Sequence, residues 1–224
     1  MLKNVFRIAV LLAVSVWLAA CGGGSTSSST SSAGSSTSAT STSATTPAPQ
    51  LIGFEGMPIE QGADLAPSAT TGTGTVDGIS CGAGEQLAYH IHSHLAVSVN
   101  GSLRALPGGV GIPGSRKVIY QGAPVATGGQ CIYWLHTHAP DGVIHIESPS
   151  VRLYTLGDFF DEWRQPLSRH QVGDASGVVT AIVNGKPWTR NLRAIPLLPH
   201  EVIQLDVGFP KMPFQPVSWS GLQL

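Results

Sequence analysis

Histidines with strand-like spacing are the residues of this chain that could do chemistry. Six of the eight histidines fall between positions 90 and 145, three at alternate positions of one segment and two in another. Alternate residues of a strand point to the same face, so two imidazoles about 6.6 Å apart can reach one ion at about 2.0–2.1 Å. The spacing therefore predicts a metal site. Its candidate ligands are His90, His92, His94, His136, His138 and His145.

A hairpin would bring the last three of these histidines together. The turn-like residues 139–142 separate two segments rich in aromatic and β-branched residues, which favours two antiparallel strands. Closing the hairpin around this turn places His136 opposite His145 and His138 opposite Val143. A slip of one residue would turn these side chains to other faces, so the register is part of the prediction.

Two carboxylates accompany the histidines. Glu147 shares a strand face with His145, and Asp141 lies in the turn. We expect Glu147 to be a ligand or an acceptor that holds an imidazole in one tautomer, and Asp141 to be such an acceptor. If the site is catalytic, Glu147 and Asp141 are the candidate general bases.

The ligand types narrow the choice of metal. Imidazole suits copper, zinc, iron and nickel, and copper(II) binds most tightly in the divalent series. Met57 and Met212 lie far along the chain from the histidines, so a methionine-rich copper(I) site is not indicated. We favour copper over zinc, and a mixed histidine–carboxylate iron site that uses Glu147 stays open.

Three classes of function are compatible with these residues. The clustered histidines, together with the absence of a Walker motif, favour a metal-binding protein such as a receptor, buffer or chaperone. A metalloenzyme would use three histidines and an open coordination position. In an interaction module, the histidines would be structural and an unidentified protein partner would bind elsewhere. A proton-linked switch is a further reading, because histidine changes charge near pH 6.5.

The elements that must position these residues are mostly strands. Alternating or β-branched patterns predict strands over 87–100, 102–106, 117–121, 130–138, 143–147, 177–184 and 201–207, and residues 155–163 form the one clear helix. The fold class is α+β and strand-rich, with an antiparallel or mixed sheet. The strand–strand–helix–strand–strand order over 130–208 is similar to a β-grasp arrangement.

Several motifs also carry a resemblance. The segments His92-x-His94-Leu95, LHTH at 135–138, GVIHIESP at 142–149 and TLGDFF at 155–160 resemble a group of exported bacterial proteins to which no activity is assigned. The likeness covers about residues 87–208. It implies a shared histidine site and carries no implication about a substrate.

The N-terminus has the pattern of a bacterial lipoprotein. Lys3 and Arg7 precede a short apolar run that ends in Leu-Ala-Ala-Cys, which predicts a signal peptide over 1–20 and a lipid on Cys21. Residues 21–50 are rich in Ser and Thr and form a flexible linker, and 51–224 form a single strand-rich domain. The chain is expected in the cell envelope, on the outer membrane and facing the periplasm.

Charge and cysteine content are consistent with that compartment. The net charge is −1, and the absence of a basic block argues against nucleic-acid binding. In an oxidising space, Cys81 and Cys131 are expected to form a disulfide, with a thiolate metal ligand as the alternative.

Overall fold

The structure is a computed structural model that describes residues 50–53, 55–68 and 72–222. The signal peptide, Cys21 and nearly all of the linker that the sequence predicts lie outside these residues. Within the described part, no helix combines the length and the apolar character needed to cross a membrane.

The described residues are dominated by strands, as expected for the α+β class. In chain order the elements are β1 (Thr75–Val76), β2 (Ile79–Gly82), β3 (Tyr89–Val99), β4 (Ser102–Arg104), β5 (Lys117–Tyr120), β6 (Ala123–Ala126), β7 (Ile132–Tyr133), β8 (Leu135–His136), β9 (Val143–Ser148), β10 (Tyr154–Thr155), α1 (Leu156–Trp163), β11 (Leu167–Ser168), β12 (Gln171–Val172), β13 (Ala175–Ser176), β14 (Val179–Val183), β15 (Lys186–Trp188), a 3₁₀ turn (Leu192–Ala194), β16 (Pro196–Leu197) and β17 (Glu201–Val207).

The central sheet is mixed and has the strand order β15-β14-β17-β3-β9-β8, with β4 also paired to β3. β17 runs parallel to β3, whereas the pairs β3–β9, β8–β9, β14–β17 and β14–β15 are antiparallel. Smaller antiparallel groups surround this sheet: β1-β2-β7, β5-β6, β10-β16 and β11-β12-β13.

The predicted β-grasp order is present, but its first strand is not the predicted one. In that arrangement the first and last strands lie parallel at the centre of the sheet. Here the last strand, β17, pairs with residues 93–99 of β3. The segment 130–138 is instead divided at Trp134 into β7 and β8, which pair with β2 and β9. β3 takes the central place because it is eleven residues long and buries residues 92–98, whereas β7 and β8 have two residues each.

Helix α1 begins one residue after the predicted start at position 155 and ends at the predicted position 163. Thr155 and Asp158 form a reciprocal capping box, and Arg164 in the left-handed conformation ends the helix. Its Phe159, Phe160 and Trp163 are fully buried in the main hydrophobic cluster together with residues of the central sheet. These aromatic residues are therefore part of the core, not a docking face.

The predicted disulfide is present. Cys81 and Cys131 are bonded, with their Cα atoms 5.4 Å apart. The bond links β2 to the residue that precedes β7, next to a strand pairing in which Cys81 faces Tyr133. Neither cysteine is therefore available as a thiolate ligand for a metal.

Candidate metal centre

Strand pairing places the histidines of three strands beside one another. In the antiparallel pair β3–β9, His92 is opposite His145 and His90 is opposite Glu147. β8 lies on the other side of β9 and places His136 opposite His145. This confirms the predicted hairpin register, and it places His145 between one histidine of each neighbouring strand.

The segment that contains His136 and His138 is held by Thr137, which points away from them. Thr137 Oγ1 donates to the Pro107 carbonyl at 2.7 Å and accepts from the Val110 amide at 3.1 Å. The Thr137 amide also donates to the Val110 carbonyl at 3.1 Å. Because successive side chains alternate, anchoring Thr137 in this loop turns both histidines toward β9.

Four side chains, which we call the first cluster, each bring a ligand atom within 4.8 Å of the other three: His90, His92, His145 and Glu147. His90 Nε2 lies 3.0 Å from His92 Nε2 and 3.0 Å from Glu147 Oε1. His145 Nδ1 lies 3.2 Å from His92 Nε2 and 3.2 Å from Glu147 Oε1. The four contacts close into a ring of donor atoms.

These separations are those of ligands around a single ion. At a metal–nitrogen distance of about 2.0–2.1 Å, adjacent ligands lie about 2.9 Å apart in a square plane and about 3.3 Å apart in a tetrahedron. The contacts of the first cluster, at 3.0 and 3.2 Å, fall between these values. The spacing therefore suits a four-coordinate ion without distinguishing copper from zinc.

Two buried carboxylates hold His145. Its Nε2 lies 2.6 Å from Glu55 Oε1, whereas its Nδ1 faces Glu147. Burial by itself would lower the pKa of His145, but its contacts with Glu147 and Glu55 raise that pKa to about 9. An ion in the first cluster must therefore displace the proton from Nδ1. Glu55 stays on the opposite nitrogen, as the carboxylate behind a metal-binding histidine commonly does.

The neighbouring histidines remain neutral near pH 7. Burial, reinforced by the charge on His145, lowers the pKa of His92 to about 3 and the pKa of His136 well below its usual value. The same two causes lower the pKa of His138. Neutral imidazole is the form that binds metal ions, so these residues do not require deprotonation first.

A second cluster consists of His136, His138 and His145, whose ligand atoms also lie within 4.8 Å of one another. The Nε2 atoms of His136 and His138 are 3.2 Å apart. On the far side of each ring, His136 Nδ1 lies 2.9 Å from the Tyr133 carbonyl and His138 Nδ1 lies 2.8 Å from the Ala126 carbonyl. Backbone acceptors therefore fix the orientation of both rings.

A cavity of about 520 Å³ opens onto both clusters. Its polar floor includes His90, whose side chain is 38% exposed. Its apolar wall comes from the β5–β6 hairpin, through Val118, Tyr120 and Val125. An ion held by the clusters can therefore be reached from solvent, and so can a small molecule bound beside it.

The structure does not bring His94 into either cluster. Its partner across the sheet is Val143, where the chain turns, and the backbone of Gly142 packs against its ring. His94 lines a separate cavity of about 460 Å³, and its burial lowers its pKa to about 4. The prediction of His94 as a ligand is thus not supported, although it shares a strand with His90 and His92.

Asp141 also lies outside both clusters. Its Oδ1 accepts from the Val143 amide at 3.1 Å, which caps the turn. Burial, together with the charge of Glu55, raises its pKa to about 8. A carboxyl that keeps its proton at neutral pH is a poor general base, which leaves Glu147 as the stronger of the two predicted candidates.

Sequence reasoning missed two carboxylates at the site. Glu55 contacts His145, and Glu85 Oε1 lies 3.4 Å from His138 Nε2. Both belong to the Gly- and Pro-rich stretch before β3, where no periodicity indicates which side chains turn inward. The burial of Glu55 is therefore visible only in the folded chain.

The fold and the site together define a strand-rich α+β protein with buried histidine clusters that could hold a metal ion. The chain matches no protein-family model, no curated protein and no solved structure.

Proposed function

We propose that this protein is a lipid-anchored envelope protein that binds a transition metal, with copper favoured over zinc and iron, through the first cluster. The observation that carries the proposal is the closed ring of contacts among three imidazole nitrogens and one carboxylate oxygen at 3.0 to 3.2 Å. Such close packing of donor atoms is what a four-coordinate ion requires.

Copper is favoured by affinity and by compartment. Copper(II) binds nitrogen and oxygen ligands more tightly than the neighbouring divalent metals. The leader and Cys21 would place the domain outside the cytoplasm, where it meets metals from the surroundings. A disulfide between Cys81 and Cys131 fits the same oxidising space.

Isothermal titration of the full chain, purified in detergent and stripped with a chelator, tests this function. We expect copper(II) to bind with a Kd below about 1 μM, because three imidazoles and a carboxylate converge on one point. In His92→Ala, loss of one ligand should weaken the first cluster by at least about 100-fold.

The matched control is His170→Ala, which removes an exposed histidine far along the chain from the clusters. It should bind copper as the unaltered chain does. Absence of binding heat with copper(II), zinc(II) and iron(II) alike would overturn the proposal.

A metalloenzyme is the second candidate, and the cavity above the clusters is the observation that favours it. The cavity is large enough for a small substrate and has both metal ligands and an apolar wall. Azide added to the copper-loaded chain should shift its visible absorption if a coordination position is open to the cavity. An unchanged spectrum would indicate a closed binding site.

A further inference from the structure

The pair His136–His138 has an arrangement that the first cluster does not explain. Each Nδ1 lies within 2.9 Å of a backbone carbonyl, which can only accept, so each Nδ1 carries the proton of its ring. Both Nε2 atoms are then unprotonated, and their lone pairs face each other across 3.2 Å. Two imidazole nitrogens at this separation are spaced as two ligands of one ion that lies about 2.0–2.1 Å from each of them.

Glu147 supplies the second observation, because its two oxygens point to different clusters. Oε1 belongs to the first cluster, at 3.0 Å from His90 Nε2. Oε2 points toward His136 Nε2 at 3.9 Å, is buried, and has no hydrogen-bond partner among the described residues. A buried carboxylate oxygen is costly to leave unpaired, so this atom is a candidate ligand on the His136 side of Glu147.

Glu85 lies on the solvent side of the same place. Its ligand atom lies within 4.8 Å of ligand atoms of His136 and Glu147, and its Oε1 is 3.4 Å from His138 Nε2. Its side chain is 39% exposed at the edge of the cavity, so it can adjust to an incoming ion.

We propose that the site holds two metal ions, the second bound by His136, His138 and Glu85, with Glu147 as the carboxylate that bridges the two. This inference rests on the proposed function for the first ion and extends it to a dinuclear centre. Ions joined in this way lie about 3.5–4 Å apart and can share an oxygen ligand between them. The cavity would admit that ligand, which we expect to be water, hydroxide or an oxygen anion of a small molecule.

Copper titration of the full chain in detergent, followed by electron paramagnetic resonance, tests the second ion. We expect two equivalents to bind. The paramagnetic signal should rise with the first equivalent and fall or broaden with the second, because two copper(II) ions this close are magnetically coupled. A signal that doubles, or a stoichiometry of one, would overturn the dinuclear centre.

Variants separate the second ion from the first. His138→Ala should bind one equivalent and keep the full uncoupled signal of a single copper(II) ion. Because His138 is buried and its loss could disturb folding, Glu85→Gln at the exposed edge is the second variant, and it should weaken only the second equivalent, by at least about tenfold. His170→Ala again serves as the control.

The outcomes distinguish the two proposals. If no metal binds to the unaltered chain, the proposed function fails and the dinuclear centre fails with it. If one equivalent binds and is unaffected in both His138→Ala and Glu85→Gln, only the second ion is excluded. If both variants still bind two equivalents of copper with unchanged affinity, the assignment of the second set of ligands would also be contradicted.

Discussion

His145 is the residue on which the two clusters meet. Its ring lies 4.6 Å from the ring of His92 and 4.7 Å from that of His138, centroid to centroid, and it belongs to both clusters. Glu55 and Glu147 hold its two nitrogens from opposite sides. One side chain thereby orients the ligand atoms of three strands, which makes its positioning more important than that of any other histidine here.

Glu55→Gln tests this positioning without removing a ligand. The amide keeps the shape of the side chain but loses the charge that holds the proton on Nε2, so copper affinity should fall by about 10–100-fold. The measurement is calorimetric titration of the full chain. Asp64→Asn, at an exposed acid, is the control, and equal affinities for the two variants would contradict a role for Glu55.

Glu162 gives the protein a pH dependence of stability that is independent of the metal. It is fully buried in α1, and neither carboxylate oxygen has a hydrogen-bond partner among the described residues. Burial raises its pKa well above the usual value. The folded chain therefore keeps a proton that the unfolded chain releases above about pH 4.5, so stability falls as pH rises from that point until the pH reaches the raised pKa.

Chemical denaturation at several pH values measures this effect. Above about pH 5, and until the pH reaches the raised pKa, Glu162 should contribute a decrease of up to about 1.4 kcal/mol in the free energy of unfolding per pH unit. The Glu162→Gln variant should lack this contribution. If its pH slope over that window equals that of the unaltered chain, Glu162 is ionised in the folded state.

At the scale of elements, the loop after β4 determines where β8 lies. Gly111 has a φ of +71°, and a Cβ built on it would lie 2.2 Å from the Leu135 carbonyl and 3.0 Å from His136 Cβ. The Tyr133 amide also donates a hydrogen bond to the Gly111 carbonyl in this loop, at 2.8 Å. The position of His136 therefore requires the backbone at Gly111 to lie this close to β8.

Gly111→Ala should lower the free energy of unfolding by more than about 2 kcal/mol, because a strained φ is combined with a steric clash. Binding of the second copper equivalent should weaken as β8 is displaced. Gly221→Ala is the control, since its φ is +80° and no atom lies within 4 Å of its added Cβ. Equal losses of stability in both variants would show that φ alone, and not contact with β8, causes the effect.

The sequence predicted the elements whose own residues repeat with the period of a strand or a helix. Alternating or β-branched patterns predicted β3, β9, β14 and β17, and the pattern over 155–163 predicted α1. Pairing of His136 with His145 followed from closing a short hairpin around residues 139–142, a register that a slip of one residue would have changed. These features depend on neighbouring residues, so local physical rules are sufficient to predict them.

Other features depend on contacts between distant segments. The parallel pairing of β17 with β3 joins residues more than 100 positions apart, and no local pattern specifies it. Glu55 reaches the site through an irregular segment. His94 has the same alternation as His90 and His92, yet the turn at Gly142 covers it. Strand spacing indicates a shared face, but it does not show where on that face a cluster ends.

At the scale of the whole molecule, a proposed lipid anchor at Cys21 would hold the proposed metal site at a membrane. The anchor is inferred from sequence, and we expect Cys21→Ser to abolish incorporation of a labelled fatty acid and to release the chain from the membrane fraction. Lysis and ultracentrifugation, with immunoblotting of both fractions, measure this. A variant that remains labelled and membrane-bound would contradict lipidation at Cys21.

The central claim is that the histidine clusters hold metal in the cell, and elemental analysis of the full chain extracted from its native envelope tests it most directly. Extraction without chelator, followed by mass-spectrometric counting of metal per chain, should find copper at up to two atoms per chain. The His145→Ala variant, prepared in parallel, should contain less copper, because it lacks a ligand of the first ion. A transition-metal content no higher in the unaltered chain than in His145→Ala would contradict the account.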